Sequence, residues 1–281
     1  MSKRVKIGIV APSSRLDPAT AERVAKLAAE RHPEAELHFH PQCHLSCGHF
    51  AGDDAARAAA FAEVANDPSF DALWFGRGGY GAARIAEAVL PRLGAAARRK
   101  LYLGYSDAGA ILAALYAAGF PGLAHGPMPA DIRRPGGETA VARALDWLVR
   151  RAPEALEPSL AAGGKAAAFN LMTFSQLVGT PLEPDLAGHV LMLEEVDEHM
   201  YRIDRSLFHL TSHRPLRRLA GLRLGRCSAI PKNDPDFVLN EVEIAEHWCK
   251  ASGIPYLGRA DIGHDIENKV VPFGNWHAGA P

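Results

Sequence analysis

The sequence predicts an α/β fold, with an N-terminal parallel-sheet domain followed by a smaller, β-containing C-terminal domain. Two observations carry that expectation. Over the first 150 residues short apolar runs alternate with Ala-rich amphipathic segments at a spacing that suits βα units. A stretch holding Pro153, Pro158, Gly163 and Gly164 then interrupts the pattern, and β-like runs dominate the remainder of the chain. The expected division is residues 1–151, a linker over 152–167, and residues 168–281.

In chain order, Lys6–Ala11 reads as a strand and Pro12-Ser13-Ser14 as the loop after it. Pro18–Arg31 reads as a helix, because Ala21, Val24, Ala25 and Ala28 form an apolar stripe at helical spacing. Glu36–His40 is a strand, and Asp53–Asn66 a helix capped by Asp53 or Asp54. Ala72–Phe75 is a short buried strand running into Gly76-Arg77-Gly78-Gly79-Tyr80-Gly81, with a helix from about Ala82. Lys100–Gly104 is a further strand, followed at once by a helix over Asp107–Ala118 that Gly119 closes; Thr139–Arg151 is also helical. Beyond the linker, His189–Leu193, Leu219–Leu224 and Asp236–Leu239 read as β-like runs, and Glu241–Ala251 as a helix leading to Ile254–Leu257.

Composition narrows the function. Lys+Arg 31 against Asp+Glu 32 leaves a net charge of -1, so no basic footprint for nucleic acid or an anionic membrane exists. No apolar run approaches the roughly 18 residues a membrane span needs. The chain starts Met1-Ser2-Lys3-Arg4, and its first apolar run is too short for a signal-peptide core, so a cytoplasmic location is expected. The four cysteines, Cys43, Cys47, Cys227 and Cys249, then read as reduced thiols. The expected partner is a small molecule or peptide, with no cofactor. A rival metal reading rests on His38, His40, Cys43, His44, Cys47 and His49, which crowd one stretch without a second ligand pair at finger-like spacing.

The chemistry-bearing pattern is Gly104-Tyr105-Ser106-Asp107 between a buried strand and a helix. A serine on such a turn projects its hydroxyl at the carboxyl edge of the sheet, where open parallel sheets bind ligands. The next amide points into the same space and can serve an oxyanion. The turn resembles the nucleophile elbow of α/β-hydrolases, except that Ala108 stands where that motif needs glycine. A helix-capping role for Ser106 is the competing reading. Gly76–Gly81 also links a strand to a helix, and its successive N–H groups can form an anion nest. It satisfies Gly-x-Gly-x-x-Gly, but the position near residue 100 where a ribose-binding acid would stand is the basic Lys100, which leaves nucleotide binding as a minor reading. A serine nucleophile needs a base and an orienter. His264, in Asp261-Ile262-Gly263-His264-Asp265, and His125 are loop or strand-end histidines; Glu194 and Glu195 end an apolar strand, and alternation puts them on opposite faces.

Together these stretches resemble the LD-carboxypeptidase family of serine peptidases, which includes murein tetrapeptide carboxypeptidases and microcin C self-immunity peptidases. The resemblance runs in order through Ile9–Ser14, Arg77–Gly81, Gly104–Asp107, His125–Met128, Leu193–Glu195, Tyr201–Arg205 and Gly263–Asp265, with Asn268 and Pro272-Phe273-Gly274 behind them. It implies Ser106 as nucleophile, His264 as base and Glu194 as orienter. It also implies an oxyanion hole from the amides of Asp107 and Gly79, with Gly78 alongside. The implied fold is a flavodoxin-like N-terminal domain and a C-terminal domain carrying Glu and His, with the site in the cleft between them and a homodimeric assembly. The implied substrate is a muropeptide that loses a terminal D-Ala in cell-wall recycling; within the family the alternative is detoxification of an acyl-sulfamoyl adenylate. Arg77, Tyr80 and Arg205 are candidate binders of the substrate carboxylate. The chain departs from the family pattern at Ala168-Phe169-Asn170-Leu171 and at Glu195, where aspartate is usual, and it stops soon after Pro272-Phe273-Gly274.

Overall fold

The computed structural model describes residues 4–275, so Met1–Lys3 at the expected leaderless start and residues 276–281 of the expected second domain lie outside the described residues. Five parallel strands form the first sheet: β1 (Val5–Val10), β2 (Ala35–Phe39), β3 (Ala72–Phe75), β4 (Leu101–Gly104) and β5 (Leu123–His125), in the order 2-1-3-4-5. That is the flavodoxin-like strand order. Five helices cover it: α1 (Pro18–Arg31), α2 (Asp54–Asn66), α3 (Ala82–Val89), α4 (Gly109–Ala117) and α5 (Gly137–Arg150). Strands buried on both faces need apolar side chains on both. Ile7, Ile9, Trp74 and Leu103 share one core with Val24 of α1 and Leu145 of α5. Leu73, Phe75 and Tyr102 share the other with Phe61 of α2, Ile85 of α3 and Ile111 of α4. The α1 start obeys its sequence signals: Asp17 accepts from the Thr20 amide and Pro18 takes the first turn, where its missing N–H costs nothing.

A second parallel sheet, ordered 6-7-8-9, lies beyond the linker. Its elements are β6 (Lys165–Asn170), α6 (Leu171–Ser175), β7 (His189–Val196), α7 (Met200–Ser212), β8 (Gly221–Ser228), α8 (Glu241–Ser252) and β9 (Tyr256–Arg259). The chain then returns. β10 (Val271–Pro272) pairs antiparallel with β5, and β11 (Gly274–Asn275) pairs antiparallel with β6. The segment before β10, residues 260–270, thereby crosses between the two sheets, and it carries His264.

Several element expectations need correction. Asp236–Leu239 forms no strand; Val238 and Leu239 are exposed, so the run has no face to bury. The helix expected from Asp107 opens as a 3-10 turn over Ser106–Ala108 and becomes α-helical only at Gly109. The apolar run Ile254–Leu257 is split: Ile254 packs into the core, and β9 begins only at Tyr256. The second half is also more helical than its composition suggested. In α7 the buried residues Met200, Ile203, Leu207 and Leu210 recur at helical spacing, a pattern obscured by the basic and polar residues between them.

Candidate active site

Ser106 starts the turn after β4 with φ 59°, in the left-handed region. A non-glycine residue there costs about 1 kcal/mol, which the surrounding contacts must hold. Those contacts are close. A Cβ at Gly104 would come within 2.5 Å of the Phe75 ring, and one at Gly78 within 2.8 Å of Ser106 Oγ. The glycine turn after β3 therefore runs directly against the Ser106 turn. Gly79 has φ +111°, and a Cβ on it would meet Ser14 Oγ at 2.2 Å, so only glycine fits both the conformation and the space.

Side chains then tie the loops together. The Asp107 carboxylate accepts from Ser13 Oγ at 2.5 Å and from the Ala82 amide at 2.8 Å, joining the loops after β1, β3 and β4. Burial pushes the Asp107 carboxyl up, and the hydrogen bonds from Ser13 and Ala82 oppose that. Arg57, fully buried, donates to the carbonyls of Pro12 and Gly81 (2.8 Å to Gly81) and lies 4.7 Å from the Phe50 ring centre. The capping alternative for Ser106 fails: Tyr105 occupies the cap position, and among the described residues Ser106 Oγ has no hydrogen-bond partner. The hydroxyl is free, with the Asp107 amide at the start of a helical turn next to it.

Glu194 and Glu195 end β7, beside a register shift against β8. Both are buried, at 0% and 3% exposure. Glu194 Oε2 sits 2.5 Å from His264 Nδ1, which makes that nitrogen the donor and leaves Nε2 for other work. Burial acts most strongly on His264 and would lower its pKa, but the charge and hydrogen bond of Glu194, with help from Asp131 and Glu195, outweigh it and raise the pKa above its ordinary value. Glu195 turns away from Glu194 and accepts from Asn170 Nδ2 (2.8 Å), the Met172 amide (2.8 Å) and the Val196 amide (2.9 Å). Burial pushes Glu195 up to about 7 despite those donors. Glu195 lines a cavity with Ser106 and His264, whereas the fully buried Glu194 lines neither cavity and meets the site through His264.

The His264 loop is held by charge. Arg226 of β8 donates to Asp261 (2.5 Å) and twice to Asp265, and Arg143 of α5 donates to the carbonyls of Ile266 (2.8 Å) and Asn268 (2.9 Å). Asn268 Oδ1 takes the Gly263 amide and faces His125 Nε2, both at 3.2 Å. His125 is buried on β5, where burial drives its pKa down to about 4, and it lines neither cavity that contains Ser106. The Tyr105 ring lies 4.7 Å from that of His264, and its hydroxyl donates to Asp131 at 2.7 Å.

Two cavities meet at Gly79, Ser106 and His264. One, of about 450 Å³, adds Arg77, Gly78, Met128, Arg133 and Arg134. The other, of about 490 Å³, adds Tyr80, Asp107, Asn170, Met172, Glu195 and Glu198. Arg205, a candidate carboxylate binder, lies in neither; it lines a separate cavity with Arg202 and His209, beside α6. The His/Cys stretch is dispersed: Cys43 is buried and donates to the Ile9 carbonyl, His44 contacts the Leu16 carbonyl, and His49 contacts Ser14 Oγ. Among the described residues no group of His, Cys, Asp or Glu could hold a metal ion. Sequence reasoning missed Arg57, Asp131, Arg133, Asn170 as the partner of Glu195, and Arg226. The run Asp131-Ile132-Arg133-Arg134, charged residues just past the strand-end motif of β5, was the available signal for two of them.

Residues 7–126 match the LD-carboxypeptidase N-terminal domain, and residues 163–278 the LD-carboxypeptidase C-terminal domain. A protein of Synechocystis sp. that carries a carboxypeptidase name is 30% identical over 255 residues, 85% of this chain and 80% of that one. The murein tetrapeptide carboxypeptidase of Pseudomonas aeruginosa is 25% identical over 290 residues, 96% of this chain and 91% of its own. The crystal structure of muramoyltetrapeptide carboxypeptidase from Oxalobacter formigenes superposes with a TM-score of 0.79 at 22% identity, covering 96% of this chain and 93% of that one. The microcin C7 self immunity protein MccF, in complex with glutamyl sulfamoyl guanosine, gives 0.78 at 17% identity, covering 98% and 92%. The last two likenesses establish the fold.

Proposed function

Because the chain belongs to the LD-carboxypeptidase family, we propose that it is a serine carboxypeptidase that cleaves an L,D-amide bond and releases terminal D-Ala from a murein tetrapeptide. Ser106 is the nucleophile, His264 its base and Glu194 the residue that orients His264. The observation that carries this reading is the buried Glu194–His264 pair at 2.5 Å, whose histidine lines the same cavities as an unpartnered hydroxyl on a left-handed turn.

In the proposed reaction His264 Nε2 takes the Ser106 proton as Oγ attacks the scissile carbonyl. Glu194 stabilises the imidazolium that forms. The oxyanion sits on the amides of Asp107 and Gly79, each worth about 3 kcal/mol of barrier. As the C–N bond breaks, the imidazolium returns its proton to the departing amine of D-Ala, leaving the tripeptide as an ester on Ser106. Water, deprotonated by the same imidazole, then hydrolyses the ester. Every step of the proposed reaction is carried by these side chains, the two backbone amides and water. A homodimer, a cytoplasmic location and a division into residues 1–151 and 168–281 belong to the same proposal.

The test is incubation of purified protein with L-Ala-γ-D-Glu-meso-diaminopimelate-D-Ala and with its L-Ala-terminated counterpart, read by mass spectrometry. Loss of one alanine from the first peptide alone is the expected outcome. An intact D-Ala peptide, or equal cleavage of both, would contradict the proposal.

A further inference from the structure

The two cavities that meet at Ser106 differ in charge, and the difference assigns a direction to the substrate. On one side stand Arg77, Arg133 and Arg134 with a single acid, Asp131. That acid is already committed: it accepts from Tyr105, from the Met128 amide and from Arg134. Arg134 is therefore paired. Arg77 and Arg133 are not; among the described residues neither has a carboxylate within 4.0 Å. Arg77 gives one hydrogen bond, to the Arg15 carbonyl at 3.1 Å, and Arg133 one, to the Ala130 carbonyl at 3.1 Å. Burial, and next the facing charge of Arg133, hold Arg77 below its ordinary pKa. Asp17 is the acid that acts on it most, but its carboxylate caps α1 through Thr20. Two guanidinium groups thus face one cavity, with Asp17 acting on both from its place as a helix cap and neither in an ion pair among the described residues, an arrangement that an anion brought by the ligand would relieve.

We infer that Arg77 and Arg133 seat the free α-carboxylate of the leaving D-amino acid. The inference rests on the peptidase reading above and deepens it. In a C-terminal residue the α-carboxylate is only two bonds from the scissile nitrogen, so it must lie in a cavity that also contains the nucleophile, as this one does. Guanidinium forks match a carboxylate bidentately. The opposite cavity is lined by no arginine or lysine; its acids include Glu195, which three donors hold, and Glu198, which Arg202 pairs, so it offers a carboxylate no cationic seat. It receives the acyl side of the peptide, where an ammonium group on a long side chain would be welcome. The pair also explains exopeptidase action: a longer or amidated peptide would leave both guanidinium groups facing a neutral carbonyl, and sites built for a charged partner reject analogues that lack it.

The test measures kcat/KM on the tetrapeptide as free acid and as C-terminal carboxamide, for wild type and for Arg77→Gln, Arg133→Gln and the double variant. In parallel, binding of both peptides to Ser106→Ala protein is measured by calorimetry. Wild type should prefer the acid by about 30-fold or more, and the double variant should bring that ratio within about threefold. A merely structural role would lower both rates and leave the ratio, and Arg→Lys at either position should restore part of it. A ratio that survives in the double variant overturns the seat, as does wild-type cleavage of both peptides at equal rates. If wild type cleaves neither peptide while the Ser106→Ala protein binds the acid in preference, the seat stands and the proposed reaction falls. If it neither cleaves nor discriminates, both fall.

Discussion

The proposed nucleophile, Ser106, and its proposed base, His264, come from two regions held by opposite means. The turn bearing Ser106 is fixed by crowding: Gly78, Gly79 and the strand-end Gly104 with no room for a methyl group, a left-handed serine, and backbone hydrogen bonds to Asp107 and Arg57. The loop bearing His264 is fixed by charge: Arg226 and Arg143 grip its backbone and acids, and Glu194 grips the imidazole. A reacting serine needs a position set to a fraction of an ångström, which packing supplies. A base needs a proton affinity, which a buried carboxylate supplies. The first region should therefore fail when atoms are added, and the second when charge is removed.

The largest expected effect removes the nucleophile. Ser106→Ala should lower kcat for D-Ala release by about 10⁴-fold or more with folding intact, measured by initial rates and circular dichroism. A fall of less than tenfold would separate the strained turn from the chemistry. Next, Glu194→Gln keeps the shape and removes the charge, and kcat should fall by about 10³-fold. Gly79→Ala adds one methyl at φ +111° against Ser14 Oγ. It should lower kcat about 10²-fold and cost about 2 kcal/mol in denaturant unfolding; a variant as active and stable as wild type would contradict the crowding argument. Arg226→Gln should act more gently, costing about 1–2 kcal/mol and about tenfold in activity as the His264 loop loosens.

The smallest expected effect is on stability against pH. His264 has its folded pKa raised, so its contribution is full below about 6.5 and is lost as pH rises through the folded value. Glu195 is also raised, from 4.5 to about 7, so its penalty grows as pH rises through that window. Both signs agree above pH 6.5: there the melting temperature should fall as pH rises, and fall less in Glu194→Gln, which removes the charge acting on both groups. His125, lowered from 6.5 to about 4, adds stability as pH rises between those values and so opposes Glu195 there; that gain is complete by about pH 6.5, which is why the fall is read above it.

The sequence made the crowded region legible and the charged region only by resemblance. Strand-to-helix turns at Gly76–Gly81 and Ser106 announce themselves in consecutive residues, and glycine and serine there have few other uses. The Glu194–His264 contact spans 70 residues, and nothing local distinguishes His264 among 13 histidines. Asn170 illustrates what was hidden. Its amide holds Glu195 and its oxygen caps α6, two contacts that no spacing rule reports. Arg226 likewise reads as an ordinary strand cation until the fold brings Asp261 and Asp265 to it. The apparent strand at Asp236–Leu239 failed for the converse reason: local pattern without a surface to bury against.

The central claim is that Glu194 sets the charge of His264 for attack by Ser106, and the pH dependence of kcat/KM for tetrapeptide cleavage tests it most directly. The base works neutral, so its raised pKa places the acid limb of the wild-type profile above pH 6.5. In Glu194→Gln the burial of His264 acts with less opposition, and the limb should move below pH 6.5. Coincident limbs in the two proteins, or a wild-type profile already flat at pH 5, would contradict the account.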